Sequence, residues 1–125
     1  MVNIIIADDS ALARTVIRRC LEISGYQNAE FFEAVNGREA LEMAHKKQID
    51  FIVTDLNMPE MDGKTLLKFI KASPRLTNTP VIVITSACNQ SRIDELKQLG
   101  AVEVLSKPIS PAVIARVTQS FTKED

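Results

Sequence analysis

The chain has 125 residues, of which 46% are hydrophobic and 25% charged, with a formal net charge of -1. That length suits one domain around a single core, and nothing in the near-zero charge suggests a nucleic-acid surface or a membrane patch. No apolar run approaches the roughly 20 residues that cross a bilayer, and the opening Met1-Val2-Asn3-Ile4-Ile5-Ile6-Ala7-Asp8-Asp9 lacks the basic region of a secretory signal.

Residues 3–7 read as a first strand whose successive apolar positions suit burial on both faces. Asp8 and Asp9 end it, and Ser10 is an N-cap for a helix carrying Leu12, Val16, Ile17, Cys20, Leu21 and Ile23 as its apolar face. Arg14, Arg18 and Arg19 fall largely on the other side, and Gly25 closes the helix. Residues 29–35 form a second, more exposed strand. Asn36 and Glu39 resemble a capping box for a helix bearing Ala40, Leu41, Met43 and Ala44. His45, Lys46 and Lys47 sit at its C-terminal end, where the helix dipole favours positive charge. His45 reads as a solvated residue there.

Residues 51–55 are the third strand, an apolar run that stops at Asp55. The turn Leu56-Asn57-Met58-Pro59-Glu60-Met61 follows, and Asp62 caps a helix with Leu66, Leu67, Phe69 and Ile70 as its buried stripe. Ser73-Pro74 ends that helix, and residues 75–79 are a polar loop. Pro80 opens the fourth strand, residues 81–85, followed by a loop at 86–89. The next helix presents Ile93, Leu96 and Leu99 and stops at Gly100. The fifth strand spans residues 101–105. Ser110-Pro111 starts a last helix with Val113, Ile114, Val117 and Phe121 on its apolar face. A charged tail, Lys123-Glu124-Asp125, closes the chain.

Five strand-then-helix units with short connections imply an α/β fold, a parallel sheet covered by helices on both faces. In such a sheet the strands' carboxyl ends share one edge, where ligands bind. That edge receives Asp8 and Asp9 from the first strand, Asp55 from the third, Thr85 and Ser86 from the fourth and Lys107 from the fifth. Three carboxylates brought together repel unless a cation neutralises them. Their oxygen donors suit Mg²⁺, while Lys107 and Thr85 add a fixed charge and a hydroxyl. This set meets the demands of phosphoryl transfer, with an aspartate as nucleophile. Cys20 and Cys88 lie far apart, form no C-x-x-C pair and have one histidine for company, so a zinc site is not expected. They read as reduced thiols in a cytoplasmic protein.

The acid pair Asp8-Asp9, the stretch Thr54-Asp55-Leu56-Asn57-Met58-Pro59-Glu60-Met61-Asp62-Gly63, the Thr85-Ser86 pair and Lys107-Pro108 resemble the receiver domain of bacterial two-component response regulators. The likeness covers essentially the whole chain, 1–125, as a single receiver domain with no output domain. It is nearest to the small stand-alone chemotaxis regulators. The resemblance implies a flavodoxin-like (βα)5 doubly wound sheet of strand order 2-1-3-4-5, an order the residues alone do not give.

It also implies roles. Asp55 is the phosphoacceptor. Asp9 binds Mg²⁺ directly, Asp8 does so mainly through water, and Asp55 and the backbone carbonyl of Asn57 complete the protein's share of the shell. Lys107 pairs with Asp55 and later with the phosphoryl group, across a Lys107-Pro108 bond that is usually cis in the family. Thr85 swings toward the phosphoryl oxygen and couples the site to a docking surface on the fourth helix, fifth strand and fifth helix. Asn57 and Ala87 stand beside the path of the attacking water and tune phosphoryl lifetime. The implied partners are a histidine kinase as donor and a downstream target protein, with no nucleic acid or membrane. The chain is expected to be a monomer or a phosphorylation-dependent dimer. It is not expected to be a turnover enzyme, although it promotes its own phosphorylation and dephosphorylation.

One departure is Val104, where many family members carry Tyr or Phe. Its presence puts the usual aromatic rotation out of reach and points to coupling through Thr85 and the loop at 86–90. Two competing readings stand beside the switch. A small phosphatase or phosphotransferase with an aspartyl nucleophile often needs an acid where Asn57 stands, and an insertion that the chain lacks. A degenerate receiver that works without phosphorylation conflicts with the complete set of acid pair, acceptor, threonine and lysine.

Overall fold

In the computed structural model, which describes residues 1–119 and 121, five strands alternate with five helices. These are β1 (Asn3–Ala7), α1 (Ala11–Leu21), β2 (Glu30–Ala34), α2 (Gly37–Lys46), β3 (Phe51–Asp55), α3 (Gly63–Ala72), β4 (Val81–Thr85), α4 (Gln90–Gln98), β5 (Glu103–Ser106) and α5 (Pro111–Thr118). The strands form one parallel sheet in the order β2-β1-β3-β4-β5, so the expected topology holds. The charged tail at 123–125 lies outside the described residues.

Successive residues of the inner strands point to opposite faces, and each face is covered. Ile4, Ile6, Phe51, Val53, Ile82 and Ile84 pack with Ile17, Cys20 and Leu21 of α1 and Ile114 and Val117 of α5. Ile5, Ile52, Val81 and Val83 pack with Ala40 and Ala44 of α2, Leu66, Leu67 and Ile70 of α3 and Leu96 of α4. This is why β1, β3 and β4 read as unbroken apolar runs. Burying one such side chain contributes about 1.5–3 kcal/mol, whereas an exposed ion pair contributes about 0–1 kcal/mol. The two apolar layers therefore hold the fold. Phe51 anchors the lower end of one layer, edge-on to Tyr26 at 5.6 Å and to Phe121 at 5.2 Å.

The helix starts follow the sequence. Ser10, Asn36, Asp62, Asn89 and Ser110 each accept a backbone N–H three residues on. The capping box at Asn36 is closed one residue early, since Glu39 accepts from the N–H of Val35 rather than that of Asn36.

Several local expectations are corrected. On α1, Leu12, Val16 and Ile23 are exposed, and only Ile17, Cys20 and Leu21 of the expected stripe are buried. The sheet covers a narrower arc of this helix than the apolar residues span, and Leu12 and Val16 face a groove against Pro108 and Ile109. Gly25 does break the helical backbone, as expected. That backbone runs on past Leu21 and is broken where Gly25 takes φ 113°, a value only glycine adopts readily. Phe69 of α3 is half exposed, while Leu76, in the loop read as polar, is buried. β5 begins two residues late. Ala101 instead closes the end of α4 by donating to the carbonyl of Leu96.

Candidate functional site

The carboxyl edge of the sheet brings the acids together. Asp8 follows β1 directly and Asp55 ends β3, beside Thr54, which pairs with Ala7. Carboxylate oxygens of Asp8, Asp9 and Asp55 lie within 4.8 Å of one another. Asp8 and Asp55 are buried and Asp9 is exposed. The Asp8 carboxylate is held on both oxygens. Oδ1 accepts the N–H of Ser10 at 2.9 Å, and Oδ2 accepts from Lys107 Nζ at 3.0 Å. The same ammonium lies 3.2 Å from Asp55 Oδ1. Lys107 is set at this height because its N–H continues the β4–β5 ladder onto the carbonyl of Thr85 at 3.0 Å. The Lys107-Pro108 bond is cis.

The electrostatics follow from this crowding. Burial pushes the Asp55 carboxyl up from its usual range and the neighbouring Asp8 charge adds to it. The hydrogen bond and charge of Lys107 and the N–H of Leu56 pull the other way without cancelling the rise. For Lys107, burial favours the neutral amine, but hydrogen bonds and attraction from Asp8 and Asp55 outweigh it and hold the ammonium above its usual range. Three carboxylates facing one ammonium leave excess negative charge lined with hard oxygen donors. Such a set fits a small divalent cation.

Around this centre the other expected residues take different positions. Asn57 is exposed in the turn after β3. Thr85 is fully buried at the end of β4, and its hydroxyl accepts the N–H of Ala87 at 3.1 Å. It follows Ile84, the residue that pairs with Asp55. Val104 is buried opposite Val83, in the layer that includes Leu96.

One residue was placed wrongly from the sequence. Arg14 does not lie on a solvated face. Its side chain is 14% exposed. Nη1 donates to the main-chain oxygen of Asp8 at 2.6 Å, and Nε donates to Glu33 Oε1 at 2.8 Å. The available signal was its place just beyond the first turn of α1, where side chains lean back toward the helix start and hence toward the acid pair.

The family model of the response regulator receiver domain matches residues 4–119. The chain belongs to that family. Chemotaxis protein CheY-3 of Vibrio cholerae is 38% identical to this receiver domain over 112 residues, which is 90% of this chain and 85% of that protein. The solved structure of Vibrio cholerae CheY4, crystallised at low pH, is similar with a TM-score of 0.85 and 30% identity, covering 98% of this chain and 99% of that one. The receiver domain of the sensor histidine kinase PA1611 from Pseudomonas aeruginosa has a TM-score of 0.83 at 25% identity, covering 95% of each chain. That structure is described with a magnesium ion coordinated in its active site cleft. The acid cluster of this receiver domain stands on the sheet edge that its fold makes available for such a site, with the lysine across it.

Proposed function

We propose that this receiver domain is a phosphorylation-activated switch, with Asp55 as the phosphoacceptor and a histidine kinase as donor. The observation that carries the reading is the set of three carboxylates within 4.8 Å, with Lys107 bridging Asp8 and Asp55. An Asp55 oxygen attacks the phosphorus of a phosphohistidine. The P–N bond breaks, its electron pair returns to the imidazole, and an aspartyl phosphate remains on Asp55. Asp9 directly, Asp8 mainly through water, Asp55 and the backbone carbonyl of Asn57 would hold Mg²⁺. The ion supplies charge neutralisation on the phosphoryl oxygens when bound. Lys107, held in place by Asp8, pairs with the incoming phosphoryl group. Thr85 gives up the Ala87 N–H and turns toward the phosphoryl oxygen, which shifts the loop at 86–89.

The output is docking on a target protein through α4, β5 and α5, in the cytoplasm, with chemotaxis as the pathway that the relatives suggest. The domain works as a monomer or a phosphorylation-dependent dimer and is not a turnover enzyme. Intact mass after incubation with acetyl phosphate tests the reading. A Mg²⁺-dependent gain of one phosphoryl group, lost in Asp55→Asn, is the expected result. No gain under any condition would sink it and favour a receiver that binds partners unphosphorylated.

A further inference from the structure

Arg14 holds the main chain of the acid pair and not its carboxylates. Its guanidinium bridges the main-chain oxygen of Asp8 and the carboxylate of Glu33, at 2.6 Å and 2.8 Å. Glu33 is fixed in turn. It sits opposite Ile6 in the β1–β2 ladder, and Arg18 Nη1 lies 3.7 Å from its second oxygen. The Asp8 oxygen belongs to the peptide that joins Asp8 to Asp9. Holding that oxygen sets the plane of the peptide, and with it the direction in which Asp9 leaves the strand. The Asp8 side chain has its own partners in Ser10 and Lys107. Asp9 has none: among the described residues nothing hydrogen-bonds its carboxylate, and it is exposed. Its placement beside Asp8 and Asp55 therefore rests on its backbone.

We propose that Arg14 is a positioning residue for the divalent-cation site, acting through the Asp8-Asp9 peptide and anchored by Glu33. The proposal rests on the reading of the acid cluster as a Mg²⁺ site. Charge and geometry predict opposite signs, which makes it testable. As a bare charge, a guanidinium one peptide from the cluster repels a cation, so its removal tightens binding. As an anchor, its removal lets the Asp9 backbone drift and weakens binding. Lysine keeps the charge, but its ammonium cannot span two acceptors as the planar fork does. Arg14→Lys thus removes the geometry alone, and Arg14→Ala removes both.

The experiment is calorimetric titration of Mg²⁺ into the wild type, Arg14→Lys and Arg14→Ala. Metal-free amide NMR spectra of all three, reporting on Asp9, accompany it. Each variant is expected to raise the Mg²⁺ Kd, about tenfold in Arg14→Ala as is typical for residues that orient metal ligands, and to move the Asp9 amide signal. A Kd that is unchanged or lowered in either variant overturns the proposal. If Arg14→Ala does not fold, Arg14→Lys decides alone. A wild type that binds no Mg²⁺ overturns the metal reading itself. A wild type that binds Mg²⁺, with Arg14→Lys binding it equally well, overturns only the role of Arg14.

Discussion

The two loops that flank Asp55 are built differently. Residues 56–62, after β3, are tied down along their length. Leu56 donates to the carbonyl of Ile84 on β4, Gly63 donates back to Leu56, and Met61 donates to Pro59 around Glu60, whose φ is 66°. Gly37 at the start of α2 donates to the carbonyl of Met61 at 2.8 Å, and Arg38 pairs with Glu60 beside it. Residues 86–89, after β4, make only local hydrogen bonds among the described residues, with Cys88 alone packed against the core. Ala87 donates to Thr85, and Asn89 caps α4. A positive φ at a residue other than glycine is strained and persists only where neighbours hold it. A loop with few anchors opens at little cost. In the proposed switch, the first loop suits the holding of the reacting groups and the second suits movement when the phosphoryl group arrives.

The fixed loop breaks most severely at Gly63. A Cβ there would lie 2.3 Å from the main-chain oxygen of Asp55 and 3.0 Å from Leu56 Cα, and backbone cannot yield as a side-chain tip can. Gly63→Ala is expected to cost ~3 kcal/mol, at the upper end for overpacking, and to abolish phosphorylation because the acceptor's own peptide shifts. Urea denaturation and intact mass with acetyl phosphate measure the two effects. Gly37→Ala comes next. Its Cβ would meet the Met61 oxygen at 2.7 Å and Met61 Cγ at 2.8 Å. The strain is offset in part by the helix preference of alanine, about 1 kcal/mol, so a net loss of about 1 kcal/mol is expected. Phosphorylation should slow without stopping. A Gly37→Ala protein as stable and as reactive as the wild type would show that α2 does not brace this loop.

Much of this arrangement was legible in the sequence because strand and helix alternate with little between them. The runs Ile4-Ile5-Ile6 and Phe51-Ile52-Val53 are apolar at every step because both faces are covered, so Asp8 and Asp55 had to mark the same edge. Which strand pairs with which was not legible in the residues, because apolar runs carry no address, and the order came through the family resemblance. Periodicity says which side chains share a face, not whether a neighbour covers that face. Leu12, Val16 and Phe69 were therefore placed inside and are not. The opposite error placed Arg14 outside. A long charged side chain can turn back along its helix to a buried carbonyl, and nothing in the local sequence announces the acceptor.

Asp55 lies between the two loops, and burial and Asp8 make its charge costly. Burial and Asp8 raise its pKa, so in the metal-free protein the folded state binds more protons than the unfolded chain between the unfolded pKa, about 3.9, and the raised folded one. Stability then falls as pH rises through that window. Asp55→Asn removes the charge at almost constant shape. In the absence of Mg²⁺ the variant is expected to be more stable than the wild type at pH 7, with the gap closing below the window. Urea midpoints at pH 7 and at acid pH check the sign. A variant less stable at pH 7 would show that the attraction of Lys107 dominates the site and not the burial of its acid.

The smallest effect on stability, and the finest test of the less anchored loop, is at Ala87. The residue is exposed, so Ala87→Glu is expected to change stability by less than about 0.5 kcal/mol. Its effect should appear in the lifetime of the aspartyl phosphate. In the proposed switch, water that hydrolyses this bond passes residues 57 and 87, as the family resemblance implies, and alanine offers it neither a base nor an obstacle. A carboxylate at 87 can accept a proton from that water and orient it, so dephosphorylation should quicken severalfold. Loss of the phosphoryl mass with time, after removal of acetyl phosphate, gives the rate directly. An unchanged rate would move control of the lifetime to Asn57 on the fixed loop. The loop at 86–89 would then carry the signal outward without governing how long it lasts.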